Sequence, residues 1–285
     1  MRPLTSPGRW IWGLSGLLTV VALAIPGAYL IAWAGVPSHG PRNGIRTESF
    51  VEPRPVTSLD VQSYGAPVMV TAGSVRQVLV AETIEYDPRE GHPPAVTRSL
   101  SGGRLTLADP SCAVVDCSVS YIVIVPPGVA VTAATGGGLL HLIGLTGPVY
   151  ADTGGGQLVT DDIAASKATI ITDGGTAQLG FAAPPVTVFV STSGGPATLT
   201  VPGGPYALHA DSDGGPMFVR IATDPAARRS ITVTTGGGPL IIGSGKIPGF
   251  YGPPPSARAR PGRGQWAVTT PLEGQSLFYG PQPAG

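Results

Sequence analysis

Six glycines recur along one stretch of the chain at nearly even intervals: Gly138, Gly156, Gly175, Gly195, Gly215 and Gly238, at steps of 18, 19, 20, 20 and 23 residues. A period near twenty marks a stacked repeat, because a unit that short cannot bury its own apolar face and needs neighbours. Seven residues before each glycine stand Val131, Val149, Ala168, Val188, Leu208 and Ile231, and five before it Ala133, Ala151, Ile170, Val190, Ala210 and Val233. Two and four residues after it come Leu140 and Leu142, Leu158 and Thr160, Ala177 and Leu179, Ala197 and Leu199, Met217 and Val219, Leu240 and Ile242. Thr160 alone among these is polar. Alternation with a period of two is strand patterning, so each unit reads as two short strands separated by the glycine.

The parity of the alternation changes across the glycine, so the chain turns there, and tolerance of positive φ is the expected reason for a glycine at that point. Three residues earlier lies a hydroxyl in every unit: Thr135, Thr153, Thr172, Thr192, Ser212 and Thr235. It shares the parity of the apolar columns and is expected to face inward at the corner, where it can satisfy backbone groups that the turn leaves unpaired. Glycine-rich loops also cradle phosphate, but that chemistry needs a strand, a single loop and a following helix. Six copies without helices argue against it.

A degenerate unit fits the same register if Ala66 replaces the glycine, with Leu59, Val61 and Ser63 before it and Val68 and Val70 after it. The repeat domain is therefore expected over 56–245, with an irregular N-terminal cap at 56–128 and regular repeats at 129–245. The cap contains strand-like runs at Ser74 to Tyr86, Gly103 to Leu107 and Ser118 to Val125, with a Pro/Gly-rich loop at Asp87 to Pro94. An atypical end unit keeps a stack from pairing with another chain. The expected fold class is all-β: a single-stranded β-solenoid, β-helix-like, of about twenty residues per coil, preceded by a transmembrane helix.

The pattern Val-x-Ala-x-Thr-Gly-Gly-Gly-x-Leu, repeated after a membrane segment, resembles the DUF4097 family of adhesin-like bacterial β-solenoid proteins. The run Leu105 to Gly128, with a close cysteine pair followed by Val123-Ile124-Val125-Pro126-Pro127-Gly128, is similar to the actinobacterial members. The resemblance covers roughly residues 56 to 245 and implies a cell-surface or envelope protein. Where the family favours an acidic or polar residue just after the glycine, this chain has Leu139, Gln157, Thr176, Pro196, Pro216 and Pro239.

Residues Trp10 to Ala34 form a charge-free segment of 25 residues, enough to cross a hydrocarbon core of about 30 Å. Trp10, Trp12 and Trp33 sit at its two ends, where indoles favour the interface, and Pro26 offers a kink. An uncleaved signal anchor over 10–34 is the expectation, behind a short cytoplasmic N-terminus at 1–9 and ahead of a spacer at 35–55; a cleaved signal ending at Ala32-Trp33-Ala34 is the alternative. Basic residues flank both ends, Arg2 and Arg9 against Arg42 and Arg46, so they do not orient it. Cys112 and Cys117 are the only cysteines. Outside the cell they would close a small disulfide loop, worth about 2 kcal/mol; free thiols are the alternative, and a zinc site lacks nearby histidines. The C-terminal domain is thus expected on the extracytoplasmic side. Residues 246–285, rich in Pro and Gly, read as a flexible tail carrying Arg258, Arg260 and Arg263, with Trp266 and Leu277-Phe278-Tyr279 available to dock on the solenoid end.

Net charge is zero, and Val129 to Gly245 carries seven acidic and four basic residues, which removes the basic patch that nucleic acid requires. Because some β-helical enzymes cleave polysaccharides with clustered carboxylates, Asp161 with Asp162, Asp211 with Asp213, and Asp152 with Asp173 are the candidates for acid/base work. No ladder of carboxylates forms, since Ile171 and Ser191 interrupt the position shared by Asp152 and Asp211; surface acids are the plainer reading. His141 and His209 fall at outward positions, while His39 and His92 fall in loops, and no pair has zinc spacing. Asp173 and Asp213 precede glycines without the nine-residue period of calcium β-rolls. No cofactor, metal or catalytic residue is expected. The sequence favours a non-enzymatic surface module, anchored in the membrane and contacting an envelope polymer, lipid or surface protein. The alternative is a carbohydrate-active enzyme, a polysaccharide lyase or hydrolase acting on envelope glycans.

Overall fold

The computed structural model describes residues 44–90, 93–113 and 117–245, with the backbone of two short strands beyond them. The first strands are β1 (Gly44–Glu52), β2 (Ser58–Ser63), β3 (Val68–Ala72), β4 (Val78–Tyr86), β5 (Thr97–Ser101), β6 (Arg104–Ala108) and β7 (Cys117–Val125). The repeats supply β8 (Ala130–Thr135), β9 (Leu140–Ile143), β10 (Val149–Thr153), β11 (Leu158–Ile163), β12 (Lys167–Thr172) and β13 (Ala177–Phe181). They continue with β14 (Thr187–Thr192), β15 (Ala197–Thr200), β16 (Ala207–Asp211), β17 (Met217–Arg220), β18 (Ser230–Thr234) and β19 (Leu240–Gly243). In the tail, β20 (Ser256–Ala259) and β21 (Trp266–Thr269) pair with each other. Helical structure among the described residues is limited to two short 3-10 turns, Pro88–Glu90 and Pro110–Ala113.

The strands form two large sheets. The first runs β1-β4-β7-β3-β9-β11-β13-β15-β19-β17 and the second β16-β18-β14-β12-β10-β8-β2-β6-β5. Each repeat gives one strand to each sheet, and equivalent strands of stacked repeats pair in parallel, which is a β-helix-like coil. The sequence columns are the register: Val131 faces Val149, which faces Ala168, and Ala133 faces Ala151, which faces Ile170. The degenerate unit is in step, with Leu59 against Val131, Ser63 against Thr135 and Val68 against Leu140. Ala133, Ala151, Ile170, Val190 and Val233 are all fully buried, as the alternation requires.

The corner hydroxyls do what their parity implies. Thr153, Thr172, Ser212 and Thr235 each donate to the carbonyl of the glycine three residues on, at 3.0, 2.8, 2.6 and 2.6 Å. Each such bond is worth about 1 kcal/mol, and leaving the buried carbonyl unpaired would cost more. The reason for the glycine differs from the expected one. None of the six column glycines has positive φ; in four units the left-handed residue is the glycine just before it, Gly174 and Gly214 at 87° and Gly194 and Gly237 at 102°. Gly175 itself is required by close approach, because a Cβ there would overlap the Gly156 carbonyl oxygen of the coil next to it. Strand spacing is held through the corner, as Asp173 N donating to Thr153 O at 2.9 Å and Ser193 N donating to Thr172 O at 2.9 Å show.

Order along the stack departs from order along the chain at both ends. The pair β18/β19 inserts between β14/β15 and β16/β17, so the Gly215 unit is outermost. At the other end β6/β7 lies outside β2/β3, flanked by the antiparallel strands β4, β1 and β5. With no coil over them, Met217 and Val219 are 44% and 38% exposed although they hold inward positions. Residues 44–52, expected within the spacer of 35–55, are a strand that pairs along its whole length with β4. The expected membrane helix at 10–34 lies outside the described residues; among those described, no helix is long and apolar enough to cross a membrane.

Two substitutions test this packing. Gly175→Ala should destabilise by about 3 kcal/mol or more, because the obstacle is backbone and cannot swing aside. Ala151→Asp, an unpaired charge in a fully buried position, should cost several kcal/mol and open the coils on both sides to protease. Urea unfolding and limited proteolysis measure both, and wild-type stability in either variant would contradict the stacking.

Candidate functional site

Buried polar chemistry gathers in the outermost N-terminal strands. The alternation of β4 buries Val78, Val80, Glu82 and Ile84, which places a carboxylate among apolar neighbours. Arg98, on β5 of the other sheet, reaches it: Nε donates to Glu82 Oε1 and Oε2 at 3.1 and 2.9 Å, and Nη2 to Oε2 at 2.6 Å. The same Nη2 donates to Glu48 of β1, which Arg46 also binds, and the guanidinium lies 5.3 Å from the Phe50 ring centroid. Burial pushes the Glu82 carboxyl up against the pull of Arg98, while the Arg98 hydrogen bond holds Glu48 below its usual value. Arg98 in turn is held protonated by its bond to Glu82. This group ties the two sheets together. A general acid must reach a substrate, and Glu82 is fully buried with both oxygens facing the guanidinium, so its chemistry is that of a clasp.

Asp109 occupies the place of the corner hydroxyl in this outermost coil, one residue beyond the Gln62 to Ala108 pair. Its carboxylate accepts from Tyr64 N at 3.1 and 3.3 Å, yet burial pushes its pKa up to about 6. Ser63 donates to Val119 O at 3.0 Å and accepts from Ala66 N at 3.1 Å. Tyr121, buried nearby with an unpaired hydroxyl, has its pKa raised by burial and by the charges of Asp109 and Glu82. Cys112 and Cys117 form a disulfide, Cα to Cα 5.0 Å, between the turn after β6 and the start of β7.

The other sequence candidates are scattered, with one exception. Asp161 of β11 and His141 of β9 sit diagonally on neighbouring coils, with Nε2 to Oδ2 at 2.6 Å, so Asp161 is a paired acid and not a solvated one. Its Oδ1 is buried without a partner, and Asp162 beside it has φ of 51° in the bulge between Thr160 and Ile163. The pairing was visible in the aligned repeats, three residues after one glycine and five after the next. Asp211 accepts from Asp213 N at 2.9 Å in a turn, Asp152 lies 3.5 Å from the Tyr150 hydroxyl, and Asp173 is exposed. His209 is exposed on β16. His39, His92, Arg260, Arg263 and Leu277 to Tyr279 lie outside the described residues, and Arg258 and Trp266 fall on β20 and β21. Among the described residues no group of three or more His, Cys, Asp or Glu is placed to hold a metal ion. Arg98 and Glu82 were missed in the sequence because an Arg and a Glu sixteen residues apart carry no local signal.

No family model matches the chain, and no curated protein matches it. Among solved structures, the chain is similar to a candidate cell adhesion protein from Clostridium sporogenes, 13% identical with a TM-score of 0.44, covering 71% of this chain and 100% of that one. It is also similar to a candidate adhesin from Bacteroides fragilis, 14% identical with a TM-score of 0.39, covering 70% and 97%.

Asp109 gives a pH prediction. Folded Asp109 keeps its proton up to about 6, whereas the unfolded chain releases it near 3.8, so unfolding releases a proton between these values. Its contribution to stability is fully present below the lower value and lost as pH rises through the upper one. The stability of wild type relative to Asp109→Asn should therefore fall across that window and level off above it, as read from urea midpoints; a rise would reverse the assignment.

Proposed function

We propose that this chain is a non-enzymatic envelope-binding module of the DUF4097 type, a β-solenoid held outside the cytoplasmic membrane by a single span at residues 10–34. The observation that carries the reading is where the inward polar groups are used. The corner hydroxyls hold the turns, Thr160 accepts from Gly180 N at 3.1 Å in the next coil, and Asp109, Glu82 and Arg98 close the N-terminal end. These residues are engaged in holding the stack, and its outward faces remain as regular ladders suited to contact and not to turnover. The disulfide supports an oxidising compartment. The adhesion role named for the two similar structures is compatible with this reading and is not what it rests on.

One grouping favours the second reading, a carbohydrate-active enzyme: His141, Asp161 and Asp162, a histidine and two adjoining carboxylates. The two readings separate experimentally. Full-length protein should sediment with isolated cell envelopes, and Asp161→Asn with Asp162→Asn should leave that binding unchanged while releasing no more and no less soluble sugar than wild type. Sugar release by wild type that the double variant abolishes would establish the enzyme instead. For location, a membrane-impermeant maleimide applied to intact expressing cells should label Cys112 and Cys117 only after reduction. Labelling without reductant would count against the disulfide, and no labelling after reduction would place the domain elsewhere.

A further inference from the structure

The outward face of the second sheet carries a pattern that the repeat register reveals and the sequence order hides. The residues six before each glycine lie in one row across the stack, and in spatial order they are Thr132, Tyr150, Thr169, Phe189, Thr232 and His209. A hydroxyl and a ring alternate from coil to coil. In chain order His209 precedes Thr232, and the alternation closes only because β18 inserts between β14 and β16. Tyr150 and Phe189 are each 39% exposed on this face. Neighbouring strands stand about 4.8 Å apart, so the rings recur about every 10 Å along the stack.

That spacing has a chemical counterpart. In an extended chain of equatorially linked pyranoses each ring is turned over relative to the last, so the same apolar C–H face recurs at every second sugar. One ring of such a chain advances by about one coil. Rings at every second coil would stack on every second sugar, and the threonines between them would meet the hydroxyl rim of the intervening one. Charge narrows the ligand further. The flanking outward rows of the regular coils hold Asp152 and Asp211 against Lys167, with no arginine, which disfavours a phosphate- or sulfate-bearing polymer.

We infer that the row from Tyr150 through Phe189 to His209 binds an uncharged, extended, equatorially linked polysaccharide lying along the stack of coils. This rests on the envelope-binding reading and names its ligand class. The test uses the full chain in detergent, sedimented with chitin or cellulose powder, with amylose as the coiled, axially linked control and dextran sulfate as a polyanionic competitor. Wild type should be retained by chitin or cellulose and not by amylose, with dextran sulfate without effect. Tyr150→Ala with Phe189→Ala should lower retention about tenfold at an unchanged urea midpoint, and Tyr150→Phe should keep it. Equal retention of wild type and double variant, equal binding to amylose, or displacement by dextran sulfate would overturn the inference. Parallel sedimentation with cell envelopes separates the two levels. If both proteins bind envelopes equally, the ladder is wrong and the envelope reading stands; if wild type binds neither envelopes nor glycan, both fall.

Discussion

Everything in this molecule depends on keeping one backbone against the next at strand spacing, not only along the strands but around the corners between them. Parallel strands achieve this easily, since their hydrogen bonds set the distance. Corners do not, because a turn ordinarily splays and lifts its side chains into the space a neighbour would need. Here the corner backbone continues the ladder, and the coil next to it presses carbonyl oxygen against Cα. A residue without Cβ is then compulsory, and a hydroxyl just upstream ties down the carbonyl that the ladder leaves over. The two sheets, the shared core and the even outer faces all follow from that contact.

The period made most of this legible. Column positions survive as alternation because inward and outward faces have different solvent, and even the degenerate unit with Ala66 kept step residue for residue. Legibility failed where the units are interchangeable. A repeat says that coils stack but not in which order, because every coil offers the same edge to its neighbour; the insertion of β18/β19 is signalled only by the longest glycine step, 23 residues, which contains the return loop. It failed again for β1, whose sequence Gly-Ile-Arg-Thr-Glu-Ser-Phe-Val-Glu alternates weakly because an edge strand beside β4 has little to bury. The Arg98 clasp escaped for a different reason: it joins two sheets, and contacts across a core have no fixed sequence spacing.

The N-terminal end and the regular coils solve different problems. Within the array an inward alanine or leucine finds apolar neighbours on the coils beside it, and the buried polar groups there are the corner hydroxyls with Thr160 and Thr200. At the end one neighbour is missing, and the chain fills the gap with antiparallel strands, a disulfide and charged groups that bridge the sheets. Such bridges are weak sources of stability when compared with apolar packing but tolerate partial hydration, which an apolar plug does not. Asp109, standing where a threonine stands in other coils, belongs to the same arrangement and makes that end a part of the stack that loosens as pH rises through about 6.

The exchange of order at the two ends bears on how the stack comes apart. In a solenoid that runs strictly from first coil to last, each outermost coil is also a chain terminus, free to peel away without dragging anything with it. Here neither outermost coil is terminal in the chain. The β16/β17 coil leaves β15 and returns to β18, so it is leashed at both ends to strands deeper in the stack, whereas β6/β7 is entered from β5 at the sheet edge and leaves to β8 deeper in. Unzipping at the β16/β17 end must begin with a closed loop instead of a loose end, and the entropy released by a tethered loop is smaller than that of a free tail. Pulling at Gly44 would draw first on β1 and its full-length pairing with β4, not on the coils. The same leashes confine evolutionary growth: a coil can be added or lost between β8 and β15, where each simply follows the last, whereas a change at either end would have to rethread two crossings at once.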